Sequence, residues 1–486
     1  MAGFVDSPSK RLFALAVSFS AGIALHAFDE RVWGLLPAFV LAAAGMAAAF
    51  IDRGPPLRRF VWSCLAAALI GIGRYDLALA ALPPLPAASN GIVSLSATVI
   101  RTRQGQKNAI LVGDRVVFSG TALAGRIEIT SALSAGARAG DEIEARCRLA
   151  EIDPASPKRF LERVVGRCFP RDPIVILRRP PHRDPIDAIQ EHTRRVAGQS
   201  VPEPEASLLL GMTTGDRSGL PADLNDDFRA AGVSHIMAVS GYNVTKIADL
   251  ALALLALSGM RHRRAAAATI VVLFVFAAVA GLGAPVVRAA AMGSLSLVAA
   301  LLRRVANAAN ALVLAAALML AQQPFLLRHD LPFALSFAAI WGLSALARPF
   351  EREWAFLPEV WGIRKTLAET VGATLATLPL LLMTFGTLPL ISPFTNMLVL
   401  PLVPAVMALG LAVIVAGSMH PLLAAPAALA AAIIIRIMET VVSAFAALPW
   451  NPSLHIGPAG AVVIAGWIVL LAYALRKKGE KTVEPV

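Results

Sequence analysis

Charged side chains are scarce in this sequence. Asp, Glu, Lys and Arg make up 16% of its 486 residues, whereas hydrophobic residues make up 57%. Soluble globular proteins carry roughly a quarter charged residues, so the composition excludes a soluble enzyme, a disordered chain and a coiled-coil rod. Long apolar runs dominate both ends of the chain and indicate a polytopic α-helical membrane protein with one polar insertion.

Motifs of catalysis and metal binding are also missing. The sequence has no Gly-x-x-x-x-Gly-Lys-[Ser/Thr] loop for phosphates. Its eight histidines are scattered and show no metal-ligand spacing. We therefore expect no catalytic residue, no metal and no cofactor.

Cysteine is rare as well, with three residues in the chain. Cys64 lies in a predicted span, where it serves as a small apolar side chain. Cys147 and Cys168 lie in the polar insertion, and an oxidising compartment outside the membrane would allow a disulfide between them. Two free buried thiols are the alternative.

A membrane span needs about 20 mostly apolar residues, and the sequence predicts about twelve such helices. Three precede the polar insertion and nine follow it. Their approximate bounds are 12–28, 33–51, 60–82, 235–258, 265–283, 286–302, 308–322, 331–347, 366–386, 393–417, 421–448 and 458–475.

Loop charges predict the orientation of these spans. With a cytoplasmic N-terminus, the inner loops hold eighteen Lys and Arg residues, and the short outer loops hold only Arg31 and Arg328. Cytoplasmic loops collect basic residues, so we expect a multi-pass protein of the inner (plasma) membrane. Both termini are then cytoplasmic and the insertion lies outside.

The chain divides into five predicted regions. Residues 1–82 form three spans, 83–182 an external β domain, 183–232 an external helical connector, 233–476 the main bundle and 477–486 a cytoplasmic tail. Five short β-like runs punctuated by glycine favour a small β-barrel of the OB-fold type for the external domain. The runs are 92–102, 109–112, 116–118, 126–130 and 141–152. Residues 83–200 carry a net charge of +6.

Residues 232–244 place several polar groups where the connector enters the bundle. Polar side chains in a lipid-facing helix are costly, so they indicate a bundle interior or a wet cavity. The candidates are His235, Ser240, Gly241, Asn243 and Lys246. A helix-packing patch with interfacial anchors is the alternative, and a Ser/His hydrolytic pair lacks an acidic partner.

Two later stretches interrupt predicted spans. Gly281, Gly283 and Pro285 break one span just before Arg288, a permanently charged residue that needs a partner, an anionic ligand or room to snorkel. The alternative is a hairpin turn at the outer interface.

Helix breaks are also predicted at Pro379 and Pro401, and the polar Asn396 lies between them. Proline clusters in membrane helices often surround a transport path, although ordinary kinks would give the same pattern.

These blocks together resemble the ComEC-type competence proteins. The most specific is GVSHIMAVSG at residues 232–241, and the others follow in the family's order. They are Gly215-Asp-Arg-Ser218, Val287-Arg288-Ala289, Phe333-Ala-Leu-Ser-Phe337, Leu378-Pro379 and residues 396–401. The family often has histidine where this chain has Asn243, which puts any proton-linked role there in doubt. The C-terminal metallo-β-lactamase-like domain of many members is expected to be absent.

The resemblance implies an inner-membrane channel for single-stranded transforming DNA. It also implies an external DNA receptor and a cytoplasmic helicase or ATPase as partners, beside membrane lipid. A DNA path needs cations, and the sequence places Arg74, Lys246, Arg288 and Arg436 at span depth. The alternative function is a secondary transporter or exporter of another polar or anionic solute.

Overall fold

The structure is a computed structural model, and it describes most of the chain. The residues outside the description are 1–6, 29–34, 52–54, 87–90, 105–107, 119, 133–135, 181–184, 218, 238, 240, 283, 303–307, 359–361, 387–389, 449–453 and 482–486. Ser240 and Gly283, two of the candidate residues, therefore lie outside the described residues.

Helices account for most of the described chain. In chain order they are α1 Pro8–Phe28, α2 Leu35–Ile51, α3 Pro56–Ala80, α4 Pro157–Glu162, α5 Pro185–Ser200, α6 Glu205–Thr214, α7 Ala222–Ala230, α8 Gly241–Leu257, α9 His262–Val279, α10 Ala284–Leu301, α11 Ala308–Gln322, α12 Leu326–His329, α13 Leu331–Gly342, α14 Arg348–Glu353, α15 Ile363–Thr384, α16 Ser392–Val399, α17 Val403–Met419, α18 Pro421–Ala446 and α19 Pro458–Lys481. A π-helical turn, Leu343–Ala347, joins α13 to α14, and a 3₁₀ turn, Leu400–Leu402, joins α16 to α17.

Eight helical stretches among the described residues are long and apolar enough to cross a membrane. They are Pro8–Phe28, Pro56–Ala80, His262–Val279, Leu331–Glu353, Ile363–Thr384, Ser392–Met419, Pro421–Ala446 and Pro458–Leu475. The chain is therefore a multi-pass membrane protein.

All twelve predicted spans contain a helix, but the structure gives fewer full-length candidates than the sequence predicted. The apolar stretches Val40–Ile51 of α2, Val286–Leu301 of α10 and Asn310–Gln322 of α11 are shorter when only the described side chains are counted. Helix α8 has 17 residues and carries both Lys246 and Asp249, which lowers its hydropathy.

The chain forms two compact units. The first comprises residues 1–188 and 313–331, and the second comprises residues 189–312 and 332–486. In the first unit, α1 and α3 are in such close contact that a Cβ at Gly22 would lie 1.9 Å from the backbone oxygen of Ala68. The buried His26 Nε2 and Asp76 Oδ1, 2.6 Å apart, join the same two helices.

The polar insertion forms a sheet of seven strands in the first unit. They are β1 Ile92–Gln104, β2 Asn108–Phe118, β3 Thr121–Ala122, β4 Arg126–Ala132, β5 Glu142–Glu151, β6 Val164–Pro170 and β7 Val175–Arg178. The pairing order β1-β2-β4-β6-β5 returns to β1, because β5 also pairs with β1. The β4–β6 pair is parallel, and the other pairs of this closed cycle are antiparallel.

Strand β5 shows how this sheet builds a core. Successive side chains of a β-strand point to opposite faces of the sheet. Along β5, the side chains on one face are buried (Ile143, Ala145, Cys147 and Leu149), whereas Arg146 and Arg148 on the other face are exposed. The buried side chains join a cluster with residues of β1, β2 and β4. The structure also joins Cys147 of β5 to Cys168 of β6 in a disulfide, with their Cα atoms 5.5 Å apart.

Candidate functional site

The site is described in the second unit and begins at the end of α7. Gly232 has φ +70°, a conformation that glycine adopts without steric cost. Its N–H donates to Arg229 O at 3.1 Å, and the Val233 N–H donates to Phe228 O at 2.9 Å. These two bonds form a Schellman motif, so the first glycine of the 232–241 block ends α7 and turns the chain.

The apolar residues after this turn fix the segment in the core. Val233, Ile236 and Met237 are buried in one cluster with residues of α6, α16, α17 and α18. His235, between them in sequence, is exposed. Gly241 is the first residue of α8. The segment is therefore an anchored turn in which the His235 side chain stays accessible although protein surrounds it.

Helix α6 lies beside this turn and is buried along its whole length. A Cβ at Gly211 would lie 2.6 Å from the backbone oxygen of Met237. Asn243, which is 1% exposed, donates from Nδ2 to Met212 O at 3.1 Å. Since the last carbonyls of a helix lack partners within the helix, Asn243 supplies one and holds α8 against the end of α6.

The block that contains Asn396 meets the Gly232 turn. Ser392 donates from Oγ to Gly232 O at 3.0 Å, and Asn396 donates from Nδ2 to Ser392 Oγ at 3.2 Å. Asn396 is 4% exposed. Its Oδ1 is buried and accepts no hydrogen bond from any described residue.

Arg288 lies on α10 and is only 5% exposed. Its Nε and Nη1 atoms are buried without a hydrogen-bond partner among the described residues. Its Cζ lies 5.6 Å from the centre of the Phe337 ring, a distance at which a guanidinium is attracted to an aromatic face. Phe337 in turn contacts Phe333, with ring centres 4.5 Å apart. Arg288 thus lies inside the protein rather than in a lipid-facing position.

The other cations predicted at span depth have polar partners. Lys246 is half-buried and lies 3.3 Å from Asp249 on the same helix. Arg74, in the first unit, donates from Nε to Ala321 O at 2.7 Å and from Nη2 to Gln322 O at 2.8 Å. These contacts indicate local structural roles, and they distinguish Arg288 from the two residues.

An ion pair that sequence reasoning missed joins a buried carboxylate of α6 to an exposed guanidinium of α18. Glu205 is 1% exposed, and its Oε1 lies 3.0 Å from Arg436 Nη2. The sequence identified Arg436 as a cation at span depth, but Glu205 lies in a region that was predicted to be an external connector. A glutamate that opens an apolar helix was the signal that could have identified it.

The predicted helix breaks differ in kind. Gly281, with φ +84°, ends α9, and Pro285 lies in the first turn of α10, where a proline is well tolerated. Pro401 lies in the 3₁₀ turn between α16 and α17. The predicted break at Pro379 is wrong, because α15 continues through it. A membrane helix accommodates proline when neighbouring helices satisfy the freed backbone groups.

No group of three or more potential metal ligands occurs within the described ranges. The pairwise contacts nevertheless bring distant sequence blocks together. The Gly232 block meets the Asn396 block, and the Val-Arg-Ala block meets the Phe-x-Leu-Ser-Phe block through Arg288 and Phe337.

Comparison with known proteins supplies the family. The family model described as Competence protein matches residues 212–480. The chain is also similar to ComE operon protein 3 of Bacillus subtilis (strain 168), with 24% identity over 214 residues. That alignment covers 44% of this chain and 27% of the relative, so the chain spans about a quarter of that protein's length. No solved structure matches. Because the family model covers more than half of the chain, the protein belongs to the competence protein family.

Proposed function

We propose that this protein forms a passage through the inner membrane for single-stranded DNA taken up during natural competence. Family membership supports a role in competence. The buried guanidinium of Arg288 is the single observation in the structure that supports an anionic cargo.

The physical argument concerns the cost of moving phosphates through a membrane. Each nucleotide carries a negative charge, and the bilayer core offers no water or counterion to compensate it. A cation that lacks a carboxylate partner in an environment of low dielectric constant interacts strongly with a passing anion. Arg288 meets this condition, because it contacts the face of Phe337 and its Nε and Nη1 are unpaired within the described chain.

The polar insertion is proposed to be an OB-like barrel at the outer entrance. Its closed pairing order, with one parallel pair between β4 and β6, supports that assignment. The net charge of +6 over residues 83–200 suits contact with an anionic strand. The eighteen-to-two charge bias supports an external position for this domain and cytoplasmic termini.

Two further classes of partner belong to the proposal. An external DNA receptor would deliver the strand to the entrance, and a cytoplasmic helicase or ATPase would act on it after passage. The sequence has no P-loop of its own, which is consistent with a separate ATPase.

Substitutions at Arg288 in a naturally transformable host test the proposal. We expect Arg288→Glu to abolish import of labelled DNA while the amount of membrane-inserted protein stays at the wild-type level. Arg288→Lys should retain part of the import, because a sliding ligand needs positive charge more than bidentate geometry. Arg263→Gln is the matched control, because it removes an exposed cation at the start of α9 that is not a candidate for the path.

Two results would contradict the proposal in different ways. Normal import by well-expressed Arg288→Glu would remove this residue from the path. Parallel loss of inserted protein in Arg288→Glu and Arg288→Gln would assign it a purely structural role. If deletion of the whole protein leaves transformation unchanged, the cargo is another polar or anionic solute.

A further inference from the structure

A cavity with a volume of about 530 Å³, broadly open at the protein surface, lies where α14 and α15 approach each other in the second unit. The residues that line it are Arg348, Glu351, Arg352, Ala355 and Arg364. Three guanidinium groups and one carboxylate give the lining a net charge of +2. Its volume lies within the range of typical ligand sites, roughly 300–1,000 Å³.

The described residues leave two of the cations around this cavity, Arg348 and Arg352, without a carboxylate partner. Glu353, the other acidic residue of α14, pairs with Lys478 at 2.7 Å. Arg348 and Arg352 are both exposed, and neither forms an ion pair with a described residue. They are four residues apart on one helix, so they lie on the same face.

Arg364 is the third arginine that lines the cavity. It lies in the first turn of α15, and its Nη1 donates to Ala355 O at 3.5 Å. That contact directs the guanidinium toward the segment that follows α14. The three arginines therefore surround one space from two helices.

The position of the cavity indicates the chemistry of its occupant. Helix α14 is the polar end of the candidate span Leu331–Glu353, so the cavity lies at the depth of lipid headgroups. The side chain of Phe356 is 78% exposed, and Trp354 stacks on Phe350 with ring centres 5.0 Å apart. Exposed aromatic rings at the end of a span are typical of residues that contact the membrane interface.

We propose that this cavity, the α14–α15 arginine cavity, binds the phosphate headgroup of an anionic phospholipid. Planar guanidinium groups match the geometry of phosphate oxygens. Basic pockets beside membrane helices on the cytoplasmic side recognise such headgroups. In the proposed orientation this loop is cytoplasmic, but the proposal does not depend on the cargo of the bundle.

The test measures lipid binding to the purified full-length protein in detergent by native mass spectrometry. Phosphatidylglycerol and phosphatidylethanolamine with identical acyl chains are the two lipid probes. We expect phosphatidylglycerol to bind more tightly and its affinity to fall on the order of thirtyfold in Arg348→Gln/Arg352→Gln, because each arginine near an anionic lipid contributes about a fivefold change.

A matched control removes the same charge elsewhere. Arg263→Gln/Arg264→Gln changes two exposed arginines at the start of α9, and we expect it to bind phosphatidylglycerol as the wild type does. Equal thermal unfolding of both double variants and the wild type shows that the comparison is between folded proteins.

Further probes separate the sources of phosphate. If inorganic phosphate displaces the lipid at millimolar concentration, the cavity recognises a free anion and the lipid proposal is wrong. It is also wrong if Arg348→Gln/Arg352→Gln loses binding of a single-stranded oligonucleotide but keeps phosphatidylglycerol. Equal binding of phosphatidylglycerol by the wild type and this double variant would likewise overturn it.

Discussion

The contact between α1 and α3 requires glycine. A Cβ added at Gly71 would lie 2.2 Å from the backbone oxygen of Phe19, and one added at Gly22 would lie 1.9 Å from that of Ala68. Both neighbours are backbone atoms of a helix, so they cannot move aside as the end of a flexible side chain can. We therefore expect Gly71→Ala to move α1 and α3 apart.

The structure sets the size of this effect. The distance between the added Cβ and the Phe19 oxygen would have to increase from 2.2 Å to 3.4 Å, where ordinary van der Waals contact begins. The two helices would therefore move apart by about 1.2 Å. The same movement would stretch the 2.6 Å hydrogen bond between His26 and Asp76 beyond bonding range. Overpacking costs about 1–3 kcal/mol and the unpaired buried groups about 1–3 kcal/mol. Alanine recovers about 1 kcal/mol of helix propensity, so the net loss is roughly 1–5 kcal/mol.

Denaturant unfolding of the full-length protein in detergent measures this loss. Gly45→Ala is the matched control, because its added Cβ would lie 3.4 Å from the Ala66 Cβ, an ordinary contact. We expect Gly71→Ala to unfold at a lower denaturant concentration than the wild type and Gly45→Ala to unfold at the same or a higher one. Identical unfolding of all three proteins would refute the close contact of α1 and α3.

Three other changes test separate parts of the molecule. Cys147→Ser removes a disulfide between residues 21 positions apart, which should cost about 3 kcal/mol and speed proteolysis of the β domain under non-reducing conditions. Arg436→Gln removes the cation that pairs with the buried Glu205. We expect the free energy of unfolding to fall by roughly 1–3 kcal/mol. This loss is smaller than for a fully buried pair, because Arg436 is largely exposed. Burial and the nearby Arg328 lower the pKa of His329, which lies outside the spans, from 6.5 to about 4. The unfolded chain therefore binds the extra proton between these values, so stability should fall as the pH decreases from 6.5 toward 4, and His329→Gln should flatten that unfolding profile.

Each of these predictions has a control. Cys64→Ser changes a cysteine outside the disulfide and should leave proteolysis unchanged. Lys246→Gln removes the cation that pairs with the exposed Asp249. Equal unfolding of this variant and Arg436→Gln would show that the Glu205 pair contributes no additional stability. His262→Gln changes an exposed histidine. A pH profile that is as steep in His329→Gln as in the wild type would show that His329 does not cause the slope.

The lengths of the hydrophobic runs in the sequence predicted where the helices lie. They did not determine how many of these helices are long enough to span the membrane. Two of the predicted spans meet a charge or a helix-ending residue, Lys246 in α8 and Gly281 before α10. The length of an apolar run reflects the average hydrophobicity of a segment, whereas the residue at which a helix ends depends on the backbone conformation of the turn that follows it. Gly281 ends α9 through its positive φ and two backbone hydrogen bonds.

The sheet shows a different limit. The five predicted runs fall in β1, β2, β4 and β5, and two of them divide β2 at Gly113. Gly113 lies within that strand, where a Cβ would come 2.8 Å from the Ala97 Cβ. The sequence missed β3, β7 and β6, the last of which completes the cycle through its parallel pairing with β4 and antiparallel pairing with β5. Non-local pairing of this kind leaves little trace in a short run such as residues 164–170, so the closed order was visible only in the structure.

The order of the motifs identified candidate site residues, but it could not show which of these residues contact each other. Ser392 bonds to Gly232 across 160 residues, and Arg288 meets Phe337 on another helix. Two of these blocks then hold buried polar atoms without described partners, the Asn396 Oδ1 and the Arg288 Nε and Nη1. Leaving such atoms unpaired costs about 1–3 kcal/mol each, a cost that an ordinary packing residue would avoid by being apolar. A ligand or water that visits these atoms would remove the cost. The unpaired atoms of Arg288 and Asn396 are therefore better suited to the proposed passage than to simple helix packing.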